Sequence, residues 1–541
     1  MAYSSISSSS YPVRIICSFG FGLVGLLLVL LLAPTLHHQP RTFVSAEFYS
    51  SVDSLRQLDG IETLLLHSFR KYSKGLQDEI STLRRFMERI KFQHKKAQED
   101  VEDYLGNPIN AFTLIERMVS EWSDVGDLLK FEDSYKELTD SLTQLEENFT
   151  LPDEKELKGA VLGLARLQDT YGITTDAMAN GKGYGLPLSW RECYELATVF
   201  RDESRTDLAL EWLEQAYDKL QASKETKDVK TYFGVQIKET LALIHQVMGN
   251  VEKAAQHLDD ILVDEPLHPT KLTKKILSRY SLETFEPYQQ SETDRLHAQL
   301  CRGETTKKQN LSCYLESSSH PFLTLAPLQI EPLNLDPFIR LYHNVLNDRQ
   351  IAELFNYAEG KMFRSRVLKT PGEGEVSEIR VCQQTWLSRF ENPVAGMMYR
   401  LLHSITGFNI TNVESMQLAN YGIGGLYAPH HDFVRNYGLS SNLVGDRITT
   451  SMFYLTDVTE GGYTIFPEVG VFAKPTKGSM VMWPNLHKSL APDVRTLHGG
   501  CPVLKGSKYI ANIWSRSGFQ DVAMPCGLVD DTFQRIDDLP E

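Results

Sequence analysis

His430 and Asp432 stand two residues apart, and His498 and Lys508 follow at wider intervals. Two histidines and one carboxylate form the ligand set that caps one face of a non-haem Fe(II) centre. The short spacing has a physical reason. Side chains at i and i+2 of a strand share a face, so His430 and Asp432 can grip one ion together while His431 points away. The third ligand must come from another strand, and His498 can supply it. His487, which follows Trp483-Pro484-Asn485-Leu486, is its rival. Such a set leaves coordination positions open for a co-substrate and O2. Lys508 lies ten residues after His498, beyond a turn read at Lys505-Gly506-Ser507. A cation there can hold the far carboxylate of a dicarboxylic acid that chelates the metal.

A lone His-x-Asp says little in a chain with 15 histidines. The surrounding residues say more. Tyr421-Gly422-Ile423-Gly424-Gly425-Leu426-Tyr427 precedes the pair, Gly461-Gly462-Tyr463-Thr464-Ile465-Phe466-Pro467 lies between the ligands, and Cys501-Pro502-Val503-Leu504 follows His498. With these motifs, residues from about 335 to 528 closely resemble the catalytic domain of prolyl 4-hydroxylases. Nearly everything after the leader resembles the alpha subunit of the collagen-type enzymes.

The resemblance implies Fe(II) on His430, Asp432 and His498, with 2-oxoglutarate and O2 as co-substrates and L-ascorbate keeping the iron reduced. It places the C5 carboxylate of 2-oxoglutarate on Lys508, helped by the hydroxyls of Tyr421 and Thr464. A carboxylate desolvated in a barrel needs such donors. It puts Tyr427, Arg447 and Trp514 on the peptide-proline side, where aromatic faces suit a ring without an N–H. Lysyl hydroxylases carry Arg at the position of Lys508, so the lysine favours prolyl substrates. Ile513 departs from the family, which often has Lys there. The reaction implied is hydroxylation of proline at C4 in X-Pro-Gly repeats of procollagen, coupled to conversion of 2-oxoglutarate to succinate and CO2. The alternatives are a hydroxylase of other proline-containing secreted proteins and a weakly active subunit that binds collagen-like peptide.

At 541 residues the chain is too long for one core. Its 42% hydrophobic and 23% charged content is that of globular protein, and a net charge of -15 argues against a nucleic-acid partner. Residues 1–46 read as a leader: Arg14, an apolar stretch over 15–33, and Val44-Ser45-Ala46 before Glu47. It is a cleaved secretory signal or an uncleaved anchor, and both lead into the secretory pathway. Cys17 belongs to the leader. The resemblance implies disulfides Cys301–Cys313 and Cys501–Cys526, leaving Cys193 and Cys382 as buried thiols. Asn148, Asn310 and Asn409 open glycosylation sequons. The chain ends in Asp538-Leu539-Pro540-Glu541, which is no retrieval signal. The resemblance implies that a protein disulfide isomerase beta subunit, in an alpha2-beta2 heterotetramer, keeps it in the endoplasmic reticulum lumen.

The elements that must position these residues point to a multidomain α + β chain. Residues 47–185 read as a helical assembly domain, with Leu76, Ile80, Leu83, Met87 and Ile90 in a heptad-like seam. Residues 186–270 read as two TPR-like helix pairs. Leu196, Ala197, Phe200, Ala209, Leu213 and Ala216 take packing positions in the first pair. Leu241, Ala242, His245, Ala254, Leu258 and Ile261 do so in the second. The resemblance makes this the peptide-substrate-binding domain. Tyr194, Trp212, Tyr217, Tyr232 and Phe233 are its available rings, with Tyr194 and Tyr232 singled out for a polyproline strand. Residues 271–335 read as a connecting region and 529–541 as a tail. Residues 336–528 carry a helix near 348–360 and short strands between Gly and Pro turns, among them 415–419, 449–455, 479–483 and 509–514. That pattern fits a double-stranded β-helix, the jelly-roll of Fe(II)/2-oxoglutarate oxygenases.

Overall fold

Apolar residues at helical spacing build the first half of the chain, and runs of alternating burial build the second. The computed structural model describes residues 49–527 apart from 50, 74–79, 125–131, 150, 265, 267, 269–290, 306–309, 371–372, 377–378, 423, 434–443 and 526. The leader, Leu76, Cys526 and the tail therefore lie outside the described residues. No described helix is long and apolar enough to cross a membrane.

Helices α1 (Val52–Ser73), α2 (Ile80–Glu99), α3 (Val101–Leu105), α4 (Pro108–Glu116), α5 (Glu132–Asn148), α6 (Glu154–Tyr171) and α7 (Thr175–Ala179) make the N-terminal region. Of the seam, Ile90 is buried and Met87 half-buried. Two helix pairs follow: α8 (Trp190–Asp202) with α9 (Thr206–Ala222), and α10 (Lys227–Val247) with α11 (Val251–Asp264). Ser189 and Glu192 start α8 with a capping box, each satisfying the other's backbone N–H. All twelve packing residues named for the pairs are buried. Trp212 is fully buried, and its Nε1–H donates to Gln168 Oε1 on α6 at 3.1 Å. The first pair thus shares one apolar core with the N-terminal helices.

After α12 (Glu292–Cys301) the chain becomes β-rich. The strands are β1 (Tyr314–Glu316), β2 (Leu328–Leu335), β3 (Phe338–His343), β4 (Phe363–Arg364), β5 (Arg366–Thr370), β6 (Glu373–Val376), β7 (Gln383–Leu387), β8 (Met416–Tyr421) and β9 (Tyr427–His430). Next come β10 (Arg447–Tyr454), β11 (Glu460–Gly461), β12 (Thr464–Phe466), β13 (Val471–Ala473), β14 (Met480–Pro484), β15 (His498–Gly500), β16 (Val503–Lys505) and β17 (Lys508–Arg516). A large antiparallel sheet runs β1-β2-β3-β14-β10-β17-β8-β7-β4, and a smaller one runs β13-β12-β15-β9. Together they form the double-stranded β-helix. Strand alternation sorts the side chains. Ala511 and Ile513 of β17 pack under α13 (Asp348–Ala358) and α14 (Pro393–Thr406), while Ile510 joins Ala419, Tyr421, Met452 and Tyr454 between the sheets. Ile513, the family departure, therefore sits in the core away from the site.

Two expectations are corrected. Part of the connecting region is sheet: β1 pairs with β2, and β2 with β3. Pro327 and Pro332 disguised β2, whose Pro332 sits at a register shift, where proline is tolerated. The disulfide joins Cys301 to Cys501 across 200 residues. Cys313 is a free, exposed thiol, while Cys193 and Cys382 are buried ones. The reason is packing: the end of α12 lies on the small sheet, where Leu300 and Cys301 cluster with Ile465 and Cys501.

Replacing Trp212 by alanine deletes a fully buried ring and leaves Gln168 without this donor. Chemical denaturation followed by circular dichroism is expected to show a loss of about 3–5 kcal/mol in the helical unit.

Candidate active site

The two histidines are direct cross-strand partners, His430 closing β9 and His498 opening β15. Asp432 lies just past the strand end, so only the first member of the expected i, i+2 pair is on the strand. His430 Nε2 is 3.6 Å from Asp432 Oδ1, and His498 Nε2 is 3.5 Å from Oδ2. One ligand atom from each residue lies within 4.8 Å of the others. Each Nδ1 sits against a backbone carbonyl, His430 on Ala428 at 2.9 Å and His498 on Thr496 at 3.0 Å. With N–H donated there, each Nε2 lies on the Asp432 side and is left to bind a metal ion. Asp432 Oδ2 accepts from Thr450 Oγ1 at 2.6 Å and Trp514 Nε1 at 2.9 Å. Burial pushes His498 down to about 4, which makes it a neutral ligand. Burial alone would raise Asp432, but His498, His430 and Arg447 outweigh it and hold the carboxyl well below its usual range. Two imidazole nitrogens and one carboxylate oxygen on one side fit Fe(II) with open positions.

The other candidates fall away. His487 Nε2 faces Asp493 at 4.0 Å. His431 reaches the Val494 carbonyl at 2.9 Å and stacks on Phe433.

Lys508 is 2% exposed, and its Nζ donates to Thr464 Oγ1 at 3.3 Å. Tyr421 is its cross-strand partner, with the ring centroid 5.6 Å from Nζ. The expected turn is present, Gly506 taking φ +98° between β16 and β17. Burial pushes Lys508 down to about 7, with Cys382 opposing.

Around the ligands, the Tyr427 ring stacks on His430 at 3.6 Å between centroids. Trp514 touches Asp432, and the Arg447 guanidinium lies 4.0 Å from its ring centroid. Arg447 Nε and Nη2 each pair with a Glu414 oxygen at 2.7 Å, while Nη1 is 3.5 Å from the Asp432 carbonyl. Tyr194 and Tyr232 lie on α8 and α10, apart from this set; Tyr194 is half-buried and Tyr232 is 49% exposed. Asn148, Asn310 and Asn409 are exposed.

Sequence reasoning missed the supports. Thr450 holds Asp432 and accepts from Asn485 Nδ2 at 2.8 Å; Tyr454 donates to Thr464 at 2.8 Å. Arg380 lies over Tyr427 at 4.6 Å, and Cys382 contacts the Tyr421 hydroxyl. A polar residue in phase with Met452 and Tyr454 on β10 was the available signal for Thr450.

Comparison with known proteins follows the same division. A family model for the prolyl 4-hydroxylase alpha-subunit N-terminal region matches residues 51–185, and one for the 2OG-Fe(II) oxygenase superfamily matches 416–516. Prolyl 4-hydroxylase subunit alpha-2 of Caenorhabditis elegans is 30% identical over 534 residues, covering 93% of this chain and 96% of its own length. The human subunit alpha-1 is 29% identical over 528 residues, 90% of this chain and 97% of its own. Among solved structures, the viral collagen prolyl hydroxylase of Paramecium bursaria Chlorella virus-1, in its 2OG complex, is 26% identical. It covers 32% of this chain and 94% of its own, with a TM-score of 0.26.

Burial pushes Lys508 down to about 7, so an acid that sets a carboxylate on this lysine needs the cationic form and should take up a proton on binding, the behaviour expected of 2-oxoglutarate. Affinity is expected to be flat well below that pH and to fall about tenfold per unit well above it. Calorimetric titration across pH checks this, and Lys508→Arg should abolish the slope.

Proposed function

This chain belongs to the family of prolyl 4-hydroxylase alpha subunits, and we propose that it hydroxylates peptidyl proline at C4 in X-Pro-Gly repeats of procollagen. The observation that carries the reading is a His430–Asp432–His498 set, with Asp432 and His498 buried and His430 half-buried, in the same barrel as the buried Lys508–Thr464 pair. His430, Asp432 and His498 would hold Fe(II), which would supply O2 activation coupled to decarboxylation of 2-oxoglutarate to succinate and CO2.

The chain's own residues do the positioning. Lys508 takes the C5 carboxylate, with Thr464 and Tyr421 as hydroxyl partners. Thr450 and Trp514 fix Oδ2 of Asp432 and leave Oδ1 toward the His430 side. Tyr427 and Trp514 offer aromatic faces to the proline ring. Glu414 orients Arg447, whose Nη1 can reach a substrate carbonyl. The two sheets exclude water, which strengthens every one of these contacts. Tyr232, exposed on α10 with Tyr194 nearby on α8, binds a preceding stretch of polyproline strand. L-Ascorbate keeps the iron reduced. A protein disulfide isomerase completes an alpha2-beta2 assembly in the endoplasmic reticulum lumen, and Asn148, Asn310 and Asn409 carry glycans there.

The test is 2-oxoglutarate-dependent formation of 4-hydroxyproline in (Pro-Pro-Gly)10, with the chain co-expressed with a disulfide isomerase and supplied with Fe(II) and ascorbate. His430→Ala is expected to leave no product above background. A wild-type assembly that binds the peptide without modifying it would refute the reading, and preference for a non-collagen proline peptide would redirect it. Lys508→Ala should raise the KM for 2-oxoglutarate about 10- to 150-fold by removing a charged hydrogen bond. Tyr232→Ala should raise the KM for long proline peptides several-fold, about the value of one aromatic contact, and leave kcat unchanged.

A further inference from the structure

The residues proposed to hold 2-oxoglutarate each stand beside a loop, and each of those loops touches the N-terminal helices. Tyr421 is followed by Gly422, and Gly424 and Gly425 come just after it. There Arg166 Nε donates to the Gly424 carbonyl at 3.2 Å, and a Cβ on Gly424 would lie 2.7 Å from the Gly163 carbonyl oxygen. Thr464 is preceded by Gly461, where a Cβ would lie 2.5 Å from the Tyr171 hydroxyl. Lys508 is preceded by residues 501–507, which the helices grip most closely. The Tyr171 hydroxyl donates to the Pro502 carbonyl at 2.5 Å, and Gly506 N–H donates to the Gly106 carbonyl at 2.7 Å. Leu504 belongs to the helical core, and the Cys301–Cys501 bond ties the same segment to α12.

These contacts are built, not incidental. Gly106 and Gly506 approach so closely that a Cβ on Gly106 would come within 2.7 Å of the Gly506 Cα, so a side chain there must displace the turn. A second link runs from Ser51 through fully buried Asn420 to Ser507, with bonds of 2.8 and 2.9 Å. Asn420 immediately precedes Tyr421, and Ser507 immediately precedes Lys508.

We propose that the N-terminal helices position the co-substrate anchor, with Tyr171 and Gly106 as positioning residues that fix the turns bearing Lys508, Thr464 and Tyr421. The inference rests on the 2-oxoglutarate reading of that pocket. None of the helical residues named touches a reacting group; they act through the placement of a buried cation and two hydroxyls. Misplacing such an anchor weakens co-substrate binding and spares peptide binding, which sets this role apart from a general structural one.

The test uses the full chain in its assembly with disulfide isomerase. Tyr171→Phe removes one hydroxyl and keeps the ring. It is expected to raise the KM for 2-oxoglutarate about fivefold, the value of one hydrogen bond, with kcat at saturation and the KM for (Pro-Pro-Gly)10 unchanged. Gly106→Ala, which displaces the Lys508 turn, should shift the same constant further. Equilibrium binding of 2-oxoglutarate to the Fe(II)-loaded assembly without O2 gives an activity-free readout and should weaken in parallel. Folded variants that bind 2-oxoglutarate as wild type does, or that lose peptide and co-substrate affinity equally, would overturn the proposal. Wild-type assembly that binds no 2-oxoglutarate would overturn the reading beneath it as well.

Discussion

Charge buried away from water must be balanced by its neighbours, and Asp432 is where this chain meets that demand. The residue is 6% exposed. Two imidazoles face it, a threonine hydroxyl and an indole N–H bond it, and Arg447 stands 4.0 Å from it. These five partners come from the region of four strands: His430 from β9, His498 from β15, Thr450 and Arg447 from β10, and Trp514 from β17. The two sheets must therefore close on one another before the carboxylate can be ionised and dry at once. The same closure fixes the metal-binding nitrogens, because each Nδ1 is held by a carbonyl two residues back on its own chain. Geometry and charge balance are one requirement here.

That requirement explains what was legible in the sequence. His430 and Asp432 could be read from their two-residue spacing, although only His430 lies on the strand. His498 and Lys508 could be read because the motifs around them carry the family resemblance. The strands around 415–419, 449–455, 479–483 and 509–514 appear within a residue or two of where the apolar runs placed them. The helix pairs also follow their packing alanines. What local pattern could not give was partnership across long separations. The resemblance pairs Cys301 with nearby Cys313, but α12 carries Cys301 to the small sheet and to Cys501. β2 was hidden because its prolines suit a linker as well as an edge. Thr450 and Glu414 were invisible because their importance lies wholly in what they touch.

Lys508 shows the same principle with the balance deliberately incomplete. Thr464 gives it one neutral acceptor, and its other near neighbours are aromatic rings and a thiol. Burial lowers its proton affinity from the ordinary 10.5 to about 7. The unfolded chain therefore binds that proton more tightly than the folded one does. Stability from this group is present above the unfolded value, declines as pH falls from 10.5 toward 7, and reaches its full penalty below 7. A carboxylate arriving beside Nζ supplies the missing counter-charge and removes the penalty. On the proposed reading, the anion places one carboxylate there while its other end reaches the metal face, which selects a dicarboxylate over a monocarboxylate. The cost of leaving a cation unpaired in the barrel is then the source of co-substrate selectivity, and on the positioning proposal it holds only while the turn bearing Lys508 stays rigid against the helices behind it.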